Sequence, residues 1–361
     1  MSERRSTGRF DVVVIGGGQA GLAVGHHLAR LNLSFIILDP HDRVGDSWRD
    51  RWDSLRLFTP ARLNGLPGMP FPAAPGTTVT KNAMADYLES YAKRFRLPVC
   101  LQTRADTLTR ESGPFVVRAG SHSFGADQVV VATGGHPVPI RPSFASELDP
   151  GILQLHTVDY RNPAQLRPGE VLVVGAGNSG AEIAVEAAAC HRTWLSGRST
   201  GRFSPTLYAR PSWWLLKRIS DVRTPMGRKV RAGALSRGTP LVRHRDRDFA
   251  AAGVARVGRV VGVQSGRPQL EDGHVLDVEN VVWCTGFGHD FSWIRLPSFV
   301  DGHLPVCERG VVRSQPGLYF VGLPFQINLA SALIDGVSRD AEYIAERVAV
   351  SAASMNEDKE E

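Results

Sequence analysis

Hydrophobic positions in this chain cluster in short continuous runs: Val12 to Ile15, Phe35 to Leu38, Val129 to Val131, Val171 to Val174, Val281 to Trp283 and Leu318 to Val321. Each is too short for a buried helix, and a glycine-bearing turn or an acid follows most of them, so they read as strands buried on both faces. Between them the period changes. Met84, Tyr87, Leu88, Tyr91 and Phe95 recur at three- and four-residue spacing and predict a helix over Asn82 to Phe95. Further helices are expected from Gly21 to Leu31, from Gly180 to about Ala189, and over Leu333 to Val350. Pro98 to Leu108, Phe115 to Arg118 and Thr193 to Leu195 read as additional strands. Pro67 to Pro75 reads as a surface loop and the last eleven residues as a polar, disordered tail. Strands alternating with helices predict an α/β fold.

The junctions carry the chemistry. The run Val12 to Ile15 enters Gly16-Gly17-Gly18-Gln19-Ala20-Gly21, a helix follows, and the next run ends in Asp39. Strand, glycine turn, helix, strand, acid is the dinucleotide-binding fingerprint. Gly16 permits the tight turn, Gly18 lets the backbone approach a pyrophosphate, and Gly21 lets helix and strand pack closely. Gln19 and Ala20 open the helix, whose free N–H groups suit phosphate. Asp39, at the end of the second strand, is placed to hold ribose hydroxyls.

The pattern then restarts. Gly175, Gly177, Asn178, Ser179 and Gly180 form a second such turn. Each unit is closed by a strand ending in Thr-Gly, at Thr133-Gly134 in the first and Thr285-Gly286 in the second. The stretch from turn to Thr-Gly is nearly equal in length in the two units, which marks an internal duplication. In the second unit the strand after the helix ends in Ser196-Gly197-Arg198-Ser199, with no acid. Arg198, with Ser199 beside it, suits a 2′-phosphate, so the second site is expected to prefer NADPH. A last strand and helix after the second unit imply that the chain crosses back. The expected organisation is two Rossmann-like dinucleotide-binding domains, with residues 1–148 and 288–361 forming the first and 149–287 an inserted NADPH-binding domain.

Composition changes this picture little. The 361 residues are 42% hydrophobic and 22% charged, as in an ordinary globular protein. No apolar run approaches a membrane span, and the short basic N-terminus leaves no room for a signal sequence, so a cytoplasmic location is expected. Four scattered cysteines without a CxxC argue against a redox dithiol, and eleven histidines show no metal-ligand pattern. Charge is more informative. The net charge is +6, and residues 202–247 hold twelve Lys or Arg against Asp221 and Asp246. This stretch includes an amphipathic fragment, Pro211 to Ile219. A lid over the substrate site, a peripheral membrane contact, a nucleic-acid patch and a plain solvated face all fit; a lid that attracts the anionic cofactor is favoured, and no recognised nucleic-acid motif accompanies it.

GGGQAGLA, GDSW, LRLFTP, ATGG, VVGAGNSGAE, CTGF and GLYFVGLPFQ together resemble the flavin-containing monooxygenases, a class of two-domain flavoproteins, especially the bacterial and plant YUCCA-like group. The resemblance spans nearly the whole chain. It implies FAD on the first turn, with Arg43 and Trp48 near it, and NADPH on the second. His156, Tyr160 and Arg161 match the second half of that family's linker fingerprint, whereas Pro150 and Ile152 occupy its Phe and Gly positions. Thr59 stands where some members carry an asparagine near the flavin.

The implied activity is oxygenation of a small molecule with O2 through a flavin hydroperoxide, by S- or N-oxygenation or Baeyer–Villiger-type insertion, in a monomer or homodimer. Two alternatives remain from the sequence. One is an NADPH-dependent flavin reductase or oxidase that releases H2O2; the other is a non-catalytic module that senses FAD and NADPH.

Overall fold

The computed structural model describes residues 6–110, 113–134, 138–237, 239–299, 303 and 306–360. Its larger sheet is built on Ser6–Ile15. Phe35–Leu38 pairs parallel on one side, bringing Ile15 opposite Leu38, and His122–Val131 on the other, bringing Ile15 opposite Val131. Val99–Cys100 extends the first edge and Leu318–Phe320 joins the far side of Val129 to Val131. The chain therefore returns to this sheet after the second unit. Phe115–Ala119 pairs antiparallel with the earlier half of His122–Val131, and Thr107–Thr109 pairs antiparallel with Phe115–Ala119 in turn.

The second sheet is wholly parallel and ordered Leu153–His156, Asn280–Trp283, Val171–Val174, Thr193–Ser196, Val254–Val257. Asn280–Trp283 and Val171–Val174 are buried along their length, which explains their nearly unbroken apolar sequence.

Helix Gln19–Arg30 buries Leu22, Ala23, Val24 and Leu28 in the same core as Val337, Ala341, Ile344 and Val348 of the last helix. Helix Lys81–Arg94 adds Met84, Tyr87, Leu88 and Tyr91 to that core. Thr80 caps it, its hydroxyl oxygen accepting from Ala83 N–H at 3.2 Å. The hydroxyls of Tyr87 and Tyr91 donate to the carbonyls of Met69 and Pro67, so the proline-rich loop is pinned to that helix.

Two expectations need correction. Pro98 to Leu108 is not one strand: the chain turns at Gln102, where φ is 52°, and Gln102 and Thr103 donate backbone N–H bonds to His41 and Asp39. The last helix does not stop near Val350 but runs Ile334–Glu360, taking in most of the segment read as a disordered tail. Trp52 is buried among Tyr160, Leu166 and Val171, in the core of the second unit. The units thus interlock.

Candidate functional site

Both glycine turns have one geometry. Gly16 and Gly175 each have φ of 111°. Each donates its N–H at 2.8 Å to the last carbonyl of the next strand, Leu38 and Ser196 respectively. A side chain at Gly21 would strike the Gly16 carbonyl, and one at Gly180 the Gly175 carbonyl, so helix and turn touch backbone to backbone. Gly18 and Gly177 differ: each is the N-terminal cap of its helix, and an added Cβ would meet nothing within 4 Å. These two open faces, beside unpaired helix N–H groups, fit a dinucleotide pyrophosphate. Ala20 is buried at the helix start.

What lies beside each turn is different. Asp39 is buried; one oxygen accepts from Gly17 N–H at 2.6 Å, the other from His41 N–H and Nδ1–H at 3.0 and 2.7 Å. The hydrogen bond to Asp39 raises the pKa of His41. In the second unit the equivalent residue is Gly197, followed by Arg198 and Ser199. Both of these are exposed, and no ion pair engages Arg198 among the described residues. Ser196 points inward and bonds Gly258 and Val260, so it belongs to the scaffold.

Around the first turn, Trp48 Nε1–H donates to Gln19 Oε1 at 3.2 Å, fixing the helix's first residue. Arg43 pairs with Glu89 at 2.8 Å on the surface and is largely solvated. Thr133 and Gly134 follow the strand that ends beside Gly16, and Gly134 has φ of 79°. Thr59 is buried and its hydroxyl donates to Asn64 Oδ1 at 2.5 Å, while Asn64 Nδ2–H returns a bond to the Thr59 carbonyl at 3.0 Å. Asn64, five residues beyond Thr59, is a buried amide that the sequence does not single out. Its only sequence signal is an asparagine close after an LRLFTP strand.

The linker residues divide. His156 is wholly buried; Val158 N–H donates to its Nδ1, so its Nε2–H donates to the Gly286 carbonyl at 3.1 Å. Its ring meets Phe287 edge-on at 5.0 Å, and burial lowers its pKa. Thr285 Oγ1–H donates to the Ile140 carbonyl at 2.5 Å, joining the same crossing. Tyr160 is not at a cleft: it is fully buried and its hydroxyl donates to Glu186 at 3.0 Å, with burial raising its pKa. Its role is packing and anchoring of the helix Asn178–Ala187. Arg161 donates to the carbonyls of Val158 and Tyr160, and its own carbonyl accepts from Asp53 N–H at 2.7 Å.

Two further residues emerge only in three dimensions. Arg51 lies near Arg161, and burial with that neighbouring charge lowers its pKa; its guanidinium is 6.0 Å from the Phe287 ring. Arg243 pairs with Glu182 at 2.8 Å, donates to the Leu57 carbonyl and covers the Phe58 ring at 5.7 Å. It ties the second unit's helix to the LRLFTP strand. Asn178 spans the same region, donating to Pro240 at 3.0 Å and accepting from Val242 N–H at 2.9 Å. Ser179 is half-buried beside it.

Among the described residues no disulfide joins any of the four cysteines. Burial pushes Cys284 up to about 12 and Cys307 up to about 11, so neither is a thiolate near neutral pH. The basic segment forms helix Arg210–Ile219, which sits on the chain around Leu329 to Leu333 through Trp213, Tyr208 and Ala330.

The family model for pyridine nucleotide-disulphide oxidoreductases matches residues 13–322. An uncharacterized oxidoreductase, CzcO-like, of Geobacillus kaustophilus is 40% identical over 92% of this chain and 97% of its own length. The probable indole-3-pyruvate monooxygenase YUCCA7 of Arabidopsis thaliana is 27% identical over 93% of this chain and 87% of its own. Among solved structures, a flavin-containing monooxygenase from Stenotrophomonas maltophilia matches with a TM-score of 0.80 and 28% identity, covering 95% of this chain and 99% of that one.

Proposed function

We propose a specific reaction for this chain, which belongs to the pyridine nucleotide-disulphide oxidoreductase family and resembles flavin monooxygenases over nearly its full length: NADPH-dependent transfer of one atom of O2 to a small substrate, the other leaving as water. S- or N-oxygenation and Baeyer–Villiger-type insertion are the candidate outcomes. Gly16, Gly18, Gln19, Ala20 and Gly21 hold the FAD pyrophosphate, and Asp39 accepts from its ribose. Trp48 steadies Gln19 at that turn, and Thr133 and Gly134 flank it. Gly175, Gly177, Asn178, Ser179 and Gly180 hold NADPH, with Arg198 and Ser199 on the 2′-phosphate and Thr285 and Gly286 flanking the turn.

The flavin, when bound, supplies the hydride acceptor and the oxygen activation. The protein supplies alignment and charge. His156 fixes the Gly286–Phe287 crossing, and Arg243 ties the NADPH-side helix to the strand bearing Thr59. Arg51 and Arg161 add positive charge that favours a polyanionic dinucleotide. Thr59 acts through Asn64 rather than alone.

The observation that carries this reading is one turn built twice, with a carboxylate beside the first copy and an arginine beside the second. The test is to identify the bound flavin in purified protein, then measure steady-state oxidation of NADPH and NADH. Bound FAD with NADPH turnover supports the reading; protein that purifies without flavin and cannot be reconstituted refutes it.

A further inference from the structure

Four large apolar side chains are exposed close together in sequence: Trp214 at 56%, Leu215 at 51%, Ile219 at 42% and Met226 at 57%. The helix that carries three of them is firmly held from beneath. Trp213 is buried, its Nε1–H donating to Asp335 at 2.8 Å, and Lys217 reaches the same carboxylate oxygen at 2.8 Å. Leu216 packs with Tyr208 and Ala330. With that face fixed, Trp214, Leu215 and Ile219 point to solvent.

The surrounding charge has one sign. Arg210 and Arg218 are exposed on the same helix, and the Arg218 guanidinium lies 4.9 Å from the Trp214 ring. Arg228, Lys229 and Arg231 are exposed on the following helix, Pro225–Arg237. Among the described residues, none of these five cations is held in an ion pair with a carboxylate.

We propose that this face docks the protein on an anionic lipid surface. The occupant must satisfy apolar and cationic groups together. A second copy of the chain would bring the same unpaired cations against one another. A nucleic acid offers phosphates but no apolar phase for Leu215, Ile219 and Met226. An anionic bilayer offers both, with tryptophan and arginine at headgroup depth and the aliphatic side chains just below. Attachment is peripheral: no described helix is long and apolar enough to cross a membrane.

The test is co-sedimentation of the full-length, flavin-loaded protein with vesicles of phosphatidylcholine alone or mixed with phosphatidylglycerol, at low and high salt. Binding should require phosphatidylglycerol and weaken as salt rises. Trp214→Ser/Leu215→Ser and Arg218→Gln/Lys229→Gln/Arg231→Gln should each bind about tenfold or more weakly. The thermal unfolding midpoint and the flavin content should stay unchanged in both, showing that the fold is intact. Failure to bind phosphatidylglycerol vesicles overturns the proposal, as does undiminished binding by either variant. So do a dimer that dissociates on Trp214→Ser/Leu215→Ser, and retention by duplex DNA without retention by vesicles.

Discussion

Asp39 and Gly197 occupy the same position in two copies of one structural unit. Each follows the carbonyl, Leu38 or Ser196, that accepts from the first glycine of its turn at 2.8 Å. A buried carboxylate stands at one position and no side chain at the other, where Arg198 comes next. One duplicated scaffold thereby carries two different groups at the same place.

Coenzyme choice follows from that difference. Removing the charge beside Gly197 by Arg198→Ala should raise the KM for NADPH and leave that for NADH nearly unchanged. A charge-assisted hydrogen bond contributes about 1.5–3 kcal/mol, so the wild-type preference for NADPH is expected at about ten- to a hundredfold. Steady-state kinetics with both coenzymes on both proteins decide it; equal weakening of the two would remove Arg198 from phosphate recognition.

The glycines of the first turn should separate binding from folding. Gly18 faces open space, so Gly18→Val should fold yet lose FAD. Gly21→Ala drives a methyl into the Gly16 carbonyl and should lower stability by about 1–3 kcal/mol. Flavin absorbance and thermal unfolding on both variants distinguish the two effects. FAD at wild-type occupancy in a folded Gly18→Val protein would mean that the first site is misassigned.

His156 should act by positioning. His156→Ala removes the bond to Gly286 and the edge contact with Phe287. A displacement of ~1 Å in hydride geometry can cost about a hundredfold in rate. Stopped-flow reduction by NADPH should slow or lose its coupling, with FAD content unchanged; an unaltered rate and coupling would leave the residue a purely structural one.

Acid sensitivity has an identifiable source in His27. Burial, reinforced by His26 and Arg30, lowers its pKa from 6.5 to about 4, and its Nε2 has no hydrogen-bond partner. The folded protein refuses a proton that the unfolded chain accepts, so this contribution is intact above pH 6.5 and declines as pH falls towards 4. His27→Leu should flatten the pH dependence of stability across that window by about 1–2 kcal/mol, allowing for solvent screening. Denaturant titrations near the two ends of the window measure it. A slope identical to wild type would place the acid sensitivity elsewhere.

The glycine turns and the strands and helices that flank them are legible in the sequence because strand, turn and helix are contiguous there. Contacts made across long separations are not. Nothing local marks Trp52 as part of the second core, or distinguishes Arg243, with its ties to Glu182 and Leu57, from its solvated basic neighbours. Tyr160 matches a family pattern by position, but its hydroxyl is directed at Glu186 inside the core. Nor does the local sequence reveal that Arg43 pairs with Glu89, 46 residues away. The last helix outruns its apolar pattern because the sequence after Val350, though polar, contains no proline or glycine to stop it.

The most direct test of the central claim is coupling. NADPH consumption, O2 uptake and H2O2 release are measured together, with and without a panel of small thioethers, amines and ketones. An active substrate should accelerate or sustain NADPH oxidation while H2O2 falls and an oxygenated product appears in matching amount. If every molecule of NADPH consumed yields H2O2, and no member of the panel is oxygenated, the protein is an oxidase and not a monooxygenase.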